Sequence, residues 1–150
     1  TKEIAIETTK KIDNIGLLAV EMFLTKNDEI LINEVAPRPH NSGHFTIEAC
    51  PTSQFEQHLR SILNLPLGNT AHKNFAIMLN LVGDYGFDGN VFYENLVSAY
   101  NEANTHVHIY GKEKTRPNRK MGHITIICDK FEDAYSKAVY LKSKIKVKTL

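Results

Sequence analysis

Two glutamates in neighbouring apolar segments are the residues whose types and spacing could do chemistry. Glu21 lies within residues 17–24 and Glu34 within residues 30–35. If these segments form a hairpin that turns at Asn27-Asp28, Glu21 lies directly opposite Glu34. Facing like charges destabilise a sheet, and a bridging divalent cation removes the repulsion. A few anionic oxygen ligands suit a Mg²⁺ ion that also holds phosphates.

An apolar patch accompanies these charges in the predicted hairpin. With this register, Phe23 and Ile32 share the face of the glutamates, so one surface could hold both phosphates and a base. An ordinary core position explains Phe23 equally well, and two isolated glutamates often point into water. Strand alternation places Asn33 on the opposite face. There, a buried amide that braces the sheet and a metal contact both remain open.

A polar loop follows Glu34 directly. Its hydrogen-bonding side chains are Arg38, His40, Asn41 and His44. Pro37 and Pro39 restrict the backbone before them, and Gly43 relaxes it. Such a loop is arranged to hold a small anion. We do not expect zinc at His40 and His44, because Asn-Ser-Gly separates them and no third soft ligand is near.

These residues resemble those of the N5-carboxyaminoimidazole ribonucleotide synthases, ATP-grasp ligases of purine biosynthesis. The similarity is carried by residues 21–23, 33–44, 52–60, 65–68 and 116–123. The segment 33–44 is highly specific, whereas a short piece such as 65–68 would mean nothing alone. The resemblance implies ATP- and bicarbonate-dependent carboxylation of 5-aminoimidazole ribonucleotide. It implies that Glu21 and Glu34 bind Mg²⁺, with Mn²⁺ as an alternative, and that Phe23 and Asn33 lie beside ATP.

The resemblance also implies roles for the polar loop and for a basic segment within residues 112–120. Arg38, His40 and Asn41 would form the pocket for bicarbonate and carboxyphosphate. Lys112, Arg119 and Lys120 would bind the ribonucleotide and its 5′-phosphate. A solvated turn is the alternative explanation for the second segment, and it would account for at least two of its four cations, which are Lys112, Arg116, Arg119 and Lys120.

Composition excludes several other classes of protein. Eighteen basic and seventeen acidic residues give a net charge of +1, so no bulk field attracts nucleic acid or an anionic membrane. No apolar run approaches the roughly twenty residues that span a bilayer. Cys50 and Cys128 are unclustered, which favours free thiols in a reducing cytoplasm. We therefore expect a cytoplasmic protein.

The hydrophobic periodicity predicts an α+β chain. The predicted elements are helix 2–13, strands 16–25 and 29–36, helices 44–50 and 53–63, strand 74–82, helix 91–99, strands 105–110 and 123–128, and helix 131–146. Turn residues 66–69 suggest a boundary. We assign 1–66 to the C-terminal part of an ATP-grasp domain and 67–150 to a small, β-rich, partly barrel-like C-terminal domain.

Three helices carry more detailed expectations. Ser53 and Glu56 form a capping box before a buried stripe of Phe55, Leu59, Ile62 and Leu63. In helix 91–99 and just beyond it, Leu96, Val97 and Tyr100 should face inward. The last helix should begin at an Asp129 cap and bury Ala134, Ala138, Leu141 and Ile145. His123, at the start of a strand, is expected to be structural.

The resemblance further implies that the N-terminal half of the enzyme, with its phosphate-binding lysines, precedes Thr1, and that the enzyme is a homodimer. One alternative is the formate-dependent glycinamide ribonucleotide transformylase. That enzyme has a similar Glu-Val-x-Pro-Arg-Pro-His segment, but an acidic residue typically follows it where this chain continues with Asn41-Ser42-Gly43-His44. A second alternative is a noncatalytic dimerisation module derived from the ATP-grasp fold.

Overall fold

The computed structural model describes residues 1–72 and 74–150, and the chain divides into two compact units, 1–71 and 72–150. Lys73, which precedes the predicted strand 74–82, lies outside the described residues. The mixed α+β class is confirmed. The assignment of 1–66 and 67–150 to two named domains remains a prediction.

The first unit consists of a hairpin and short helices. Its elements are α1 (Lys2–Ile12), β1 (Ala19–Leu24), β2 (Ile30–Ala36), a 3₁₀ turn (Asn41–Gly43), α2 (Thr46–Ala49) and α3 (Gln54–Ile62). The predicted turn between the strands is confirmed: Asp28 adopts a left-handed φ of 61°, and the Thr25 N–H donates to the Glu29 carbonyl. The polar loop lies between the end of β2 and the start of α2.

Helix α3 is capped at its start by Ser53, and its His58 side chain binds the segment before β1. Ser53 Oγ accepts the Glu56 N–H, so the predicted N-cap is confirmed. The Glu56 carboxylate instead pairs with Arg60, at 2.7 Å. His58 Nδ1 accepts the N–H of Leu17, next to Gly16, whose φ of 105° and closeness to the His58 ring both require glycine.

The predicted buried stripe of α3 is wrong within this chain. All four of its members are exposed: Phe55, Leu59, Ile62 and Leu63. Helix α1 likewise has no buried residue. The apolar spacing is real, but the first unit contains too few elements to cover these helix faces.

The second unit is built from two three-stranded sheets and one long helix. Its elements are β3 (Phe75–Val82), β4 (Gly89–Glu94), α4 (Val97–Tyr100), β5 (Thr105–Ile109), β6 (Lys114–Thr115), β7 (Lys120–Cys128), α5 (Phe131–Lys144) and β8 (Lys146–Thr149). The orders are β3-β7-β5 and β6-β4-β8, and the pairings are antiparallel. A parallel bridge between Gly83 and Val147 joins the two sheets.

The core of this unit lies between β7 and α5. Ile124 and Ile126 on β7 pack with Leu141 on α5, and all three are fully buried. The four residues predicted to face inward from the last helix, Ala134, Ala138, Leu141 and Ile145, are buried as expected. The β-branched β7 is the central strand, as its composition predicted.

A polar row crosses the other face of the same sheet. His123 is only 2% exposed, and its ring stacks on His108 with 4.4 Å between ring centroids. The Tyr110 hydroxyl lies 2.9 Å from His123 Nδ1. His123 is therefore structural, as the sequence indicated.

The predicted helix 91–99 is wrong. Residues 89–94 form β4, because Val91, Phe92 and Tyr93 favour an extended backbone and pair with β8. Asn95, at a φ of 57°, ends the strand, and only Val97–Tyr100 are helical. Val97 and Tyr100 are exposed, whereas Leu96 packs against the core.

The last helix starts at Phe131, as predicted, but its end and its N-cap differ from the prediction. The helix stops at Lys144, because the alternation of Ile145, Val147 and Thr149 supports strand β8 instead. At the other end Lys130 is the N-cap. The Asp129 carboxylate accepts from Asn74 Nδ2 at 2.6 Å, so it ties the helix start to the segment before β3. Along the described ranges, no helix is both long and apolar enough to cross a membrane.

Leu141→Ala should lower the free energy of unfolding of the second unit by about 2–5 kcal/mol, because a fully buried leucine leaves a cavity. Val139→Ala, on the exposed side of the same helix, should change it by less than about 0.5 kcal/mol. Urea unfolding followed by circular dichroism measures both. Equal losses would contradict the assignment of the core.

Candidate functional site

The hairpin places Glu21 directly opposite Glu34. The register pairs Ala19 with Ala36, Val20 with Val35 and Glu21 with Glu34. The predicted facing of the two carboxylates is therefore confirmed. Both side chains lie at an exposed surface, where a cation could reach them.

A β-bulge interrupts the register immediately after this pair. Met22 pairs with Ile32, so Asn33 is an extra residue on β2. Asn33 Nδ2 donates to Glu21 Oε2 at 3.4 Å, and the residue is exposed. Its predicted position on the opposite face is wrong, because alternation fails at a bulge. The bulge adds an amide to the side that carries the two carboxylates.

The bulge also changes the apolar patch. Phe23 pairs with Leu31 rather than with Ile32, and the two are 57% and 53% exposed. Ile32 turns to the other face, where it lines a groove beside α1 residues such as Ile4 and Thr8. The prediction that Ile32 accompanies Phe23 is wrong, and so is the alternative of a buried core phenylalanine. A contact between Phe23 and adenine remains a prediction.

His40 joins the two glutamates in a cluster. Its Nε2 lies 3.3 Å from Glu21 Oε1, and the ligand atoms of Glu21, Glu34 and His40 all lie within 4.8 Å of one another. We call these three residues the carboxylate–imidazole cluster. The two carboxylates offer anionic oxygens that fit a divalent cation.

The partners of His40 determine which of its nitrogens carries hydrogen. Nδ1 accepts the Ser42 N–H and lies 2.8 Å from Ser42 Oγ. In the neutral ring the proton is therefore on Nε2, which faces the Glu21 carboxylate. Ser42 fixes the ring so that its donor nitrogen points at the cluster.

The other residues of the polar loop lie in different surroundings. The Arg38 guanidinium is exposed and donates to the Pro39 carbonyl at 3.1 Å. Asn41 is half-buried at the start of the 3₁₀ turn. His44 stacks on Phe55 with 5.5 Å between ring centroids, which supports a structural role. The roles predicted for Arg38, His40 and Asn41 remain predictions.

The basic segment of the second unit is an ordered turn. The Asn118 N–H donates to the Gly83 carbonyl and the Gly83 N–H to the Arg119 carbonyl, both at 2.9 Å. A Cβ on Gly83 would overlap the Arg116 carbonyl, so this close approach requires glycine.

The turn brings its basic side chains onto its own backbone. Lys112 Nζ donates to the Lys120 carbonyl at 2.6 Å and lies over the Tyr110 ring. Arg119 Nη1 donates to the Lys114 carbonyl at 2.8 Å. Lys112 and Arg119 are half-buried and Lys120 is exposed. Their role in binding the ribonucleotide remains a prediction.

Sequence reasoning missed Gln54. The residue lies in a segment that carries the family resemblance, but nothing in its spacing indicates a role. It is buried, and its carboxamide contacts both His40 and His44. Burial raises the pKa of the Cys50 thiol. Both cysteines are free.

Family comparisons match both units. Residues 1–55 match the ATP-grasp domain, and residues 76–137 match the phosphoribosylaminoimidazole carboxylase C-terminal domain. A chloroplastic phosphoribosylaminoimidazole carboxylase from Vigna aconitifolia is 48% identical over 136 residues, which are 85% of this chain and 24% of that protein. An N5-carboxyaminoimidazole ribonucleotide synthase from Bacillus subtilis is 46% identical over 125 residues, which are 83% of this chain and 31% of that protein.

Solved structures give the same result. N5-carboxyaminoimidazole ribonucleotide synthetase from Thermotoga maritima has a TM-score of 0.90 and 49% identity, over 99% of this chain and 41% of that one. The synthase from Aspergillus clavatus, in complex with ADP and 5-aminoimidazole ribonucleotide, has a TM-score of 0.81 and 36% identity, over 95% of this chain and 38% of that one. The chain thus spans less than half the length of the relatives it matches.

Glu34→Gln should weaken the binding of Mn²⁺, used as a probe, by about tenfold or more. One carboxylate charge beside a divalent cation is worth more than the ~1.4 kcal/mol that a factor of ten requires. Electron paramagnetic resonance of free Mn²⁺ measures the change. Glu29→Gln removes the same charge from the hairpin turn and should leave the affinity nearly unchanged. Equal effects of the two substitutions would indicate a diffuse field rather than ligation.

Proposed function

The chain belongs to the N5-carboxyaminoimidazole ribonucleotide synthase family as a C-terminal region, and we propose from this that the complete protein carboxylates 5-aminoimidazole ribonucleotide in purine biosynthesis. ATP and bicarbonate are the other substrates. The observation that carries the proposal is the carboxylate–imidazole cluster, in which Glu21, Glu34 and His40 bring their ligand atoms within 4.8 Å of one another.

The proposed reaction has two steps. An oxygen of bicarbonate attacks the γ-phosphorus of ATP, the bond to the bridging oxygen breaks, and ADP leaves with the electron pair. The substrate amine then forms a bond to the carboxyl carbon of carboxyphosphate. The bond from that carbon to the phosphate oxygen breaks, phosphate leaves, and the amine loses a proton. The protein must align three anions and exclude water from the intermediate.

Glu21 and Glu34 hold the Mg²⁺ or Mn²⁺ ion in this proposal. When bound, the ion neutralises charge on the phosphates and aligns them for in-line transfer. Asn33 donates to Glu21 and so orients one carboxylate, leaving its other oxygen to the cluster. Phe23 and Leu31 offer an exposed apolar surface next to the carboxylates, which suits the adenine ring.

The polar loop supplies the anion pocket. His40 presents its Nε2–H toward the cluster, so it can donate to an oxygen of bicarbonate or carboxyphosphate. Arg38 is exposed and makes one hydrogen bond to a carbonyl, which a bidentate bond to a carboxylate or phosphate would outcompete. Asn41 adds an amide at the start of the 3₁₀ turn.

The basic turn binds the ribonucleotide phosphate. Lys112 and Arg119 donate to backbone carbonyls of Lys120 and Lys114, so their cationic ends are held at one turn. Phosphate oxygens are stronger acceptors than carbonyls because the bonds are charge-assisted at both ends. Lys120, which is exposed, adds a third cation.

The complete enzyme includes an N-terminal half, and it acts as a homodimer in the cytoplasm. The length of the relatives supports a missing half. So does the first unit, in which α1 has no buried residue and the apolar side of α3 is exposed. An apolar helix face that is exposed along its length is typical of an interface. The free cysteines fit a reducing compartment.

The isolated 150-residue chain should show no carboxylase activity, because the ATP-binding elements of the N-terminal half are absent from it. The assay measures ADP release that depends on both bicarbonate and 5-aminoimidazole ribonucleotide, with the complete protein as the positive control. Turnover by the isolated chain would contradict the proposed division of the ATP site.

Arg119→Ala in the complete enzyme should raise the KM for the ribonucleotide by about ten- to a hundredfold and leave that for ATP nearly unchanged. The loss of one charge-assisted contact is worth roughly 1.5–3 kcal/mol. Lys114→Ala is the matched control, because it removes an exposed cation but keeps the carbonyl that Arg119 contacts. Small and equal effects in steady-state kinetics would mean that the turn is only solvated.

A further inference from the structure

Gln54 occupies an unusual position for a polar side chain in the first unit. It is the first residue of α3, directly after the Ser53 cap, and it is only 7% exposed. Its backbone N–H donates to Thr46 Oγ1 at 2.9 Å, and the Thr46 hydroxyl in turn donates to the Gly43 carbonyl. The start of α3 is thereby fixed to the end of the polar loop.

The Gln54 carboxamide grips the backbone of His40 at two points. The His40 N–H donates to Gln54 Oε1 at 2.9 Å, and Gln54 Nε2 donates to the His40 carbonyl at 2.8 Å. The side chain thus imitates a neighbouring β-strand at the residue where β-type backbone passes into the 3₁₀ turn, since His40 has φ −121° and ψ 150°. Because the His40 N–H can only donate, the orientation of the carboxamide follows.

The second hydrogen of Gln54 Nε2 is directed to His44. The distance to His44 Nδ1 is 2.8 Å, so this nitrogen accepts and the neutral His44 ring carries its proton on Nε2. One carboxamide therefore holds both histidines of the polar loop. Its oxygen and both hydrogens have partners within this loop.

Gly43 lies so close to the Gln54 carboxamide that no side chain fits at position 43. A Cβ on Gly43 would lie 2.5 Å from Gln54 Oε1 and 2.8 Å from Cδ. Contacts this short would force the carboxamide to move. Since three hydrogen bonds hold the carboxamide, the displacement would break the grip on His40.

We propose that Gln54 is a positioning residue that aims His40 at the reacting anion, an inference that rests on the proposed function. The chain of contacts runs from the carboxamide to the His40 backbone, and from the His40 ring to Glu21 at 3.3 Å. Gln54 itself does not touch substrate. It holds the loop so that the imidazole donor meets carboxyphosphate before that intermediate decomposes.

Gln57→Ala is a matched control for Gln54→Ala. Gln57 lies on the same helix and makes the same two-point grip on another backbone unit, with Nε2 donating to the Gly68 carbonyl at 2.8 Å and Oε1 accepting the Gly68 N–H at 2.9 Å. The two substitutions remove the same side chain and the same pair of bonds to a backbone unit, and Gln54→Ala also removes the bond to His44 Nδ1. Only Gln54 is connected to His40.

In the complete enzyme, Gln54→Ala should lower kcat by about a hundredfold, the effect of a misplacement of about 1 Å. It should also raise the ratio of phosphate released to carboxylated product above one, because poorly held carboxyphosphate breaks down without transfer. Gln57→Ala should keep a ratio of one. A loss of stability alone lowers both products together, so the ratio separates positioning from unfolding.

Gly43→Ala tests the same contact from the loop side. It should reproduce the raised ratio, because the added methyl group displaces the Gln54 carboxamide. If Gln54→Ala and Gly43→Ala keep the ratio at one, or if Gln57→Ala raises it equally, the inference is overturned.

Amide hydrogen exchange gives a readout that does not need activity. Gln54→Ala should remove the protection of the His40 N–H and leave that of the Gly68 N–H unchanged. Gln57→Ala should have the opposite effect. Unchanged protection of His40 in Gln54→Ala overturns the inference. If the wild-type enzyme forms no carboxylated product, the proposed function fails, and this exchange experiment still decides whether Gln54 holds His40.

Discussion

The repulsion between two carboxylates that face each other across a hairpin constrains everything built around them. Glu21 and Glu34 share one rung of the β1–β2 pair, where like charges destabilise the sheet. The surroundings reduce this penalty with donors: Asn33 contacts one oxygen of Glu21, and the His40 ring lies beside the other. Two strands thus keep a charge pair that is unfavourable alone and favourable with a cation present.

The same constraint explains why irregular backbone surrounds the pair. A regular strand would send Asn33 to the opposite face, and a flexible loop would leave His40 free to rotate away. The bulge corrects the first problem and the Gln54 carboxamide the second. The bulge lies next to Glu34, whereas the carboxamide comes from the first residue of α3, further along the chain. Bulges are frequent beside active sites for this reason.

Sequence patterns predicted the parts of this protein that depend on local chemistry. The hairpin turn, the facing glutamates, the Ser53 cap and the inward residues of α5 follow from spacing and side-chain type. The errors arise where a distant strand decides the outcome. Residues 91–94 become a strand because β8 pairs with them, and β8 itself was hidden behind the helical spacing of Ile145.

The candidate site divides in the same way. The types and order of Glu21, Glu34 and His40 indicated a cation and an anion pocket. Because of the bulge at Asn33, Leu31 rather than Ile32 pairs with Phe23. No local sequence pattern predicts a single extra residue in a strand. Gln54 was invisible for a related reason, because its two bonds to His40 go to backbone atoms, and backbone atoms leave no residue-type signal in a sequence.

Helix α3 carries two glutamines, and each of them binds a backbone segment outside the helix. Gln54 and Gln57 are three residues apart, so successive turns of the helix place them on nearly the same side, and each reads a different loop. Inserting one residue between Ser53 and Gln54 would rotate both carboxamides by about 100° about the helix axis. Such a change alters no side chain of the cluster, yet it would detach Gln54 from the polar loop. Gln57 would keep Gly68, because both residues follow the insertion. The length of chain ahead of this helix is therefore as restricted as the identity of the residues in the carboxylate–imidazole cluster.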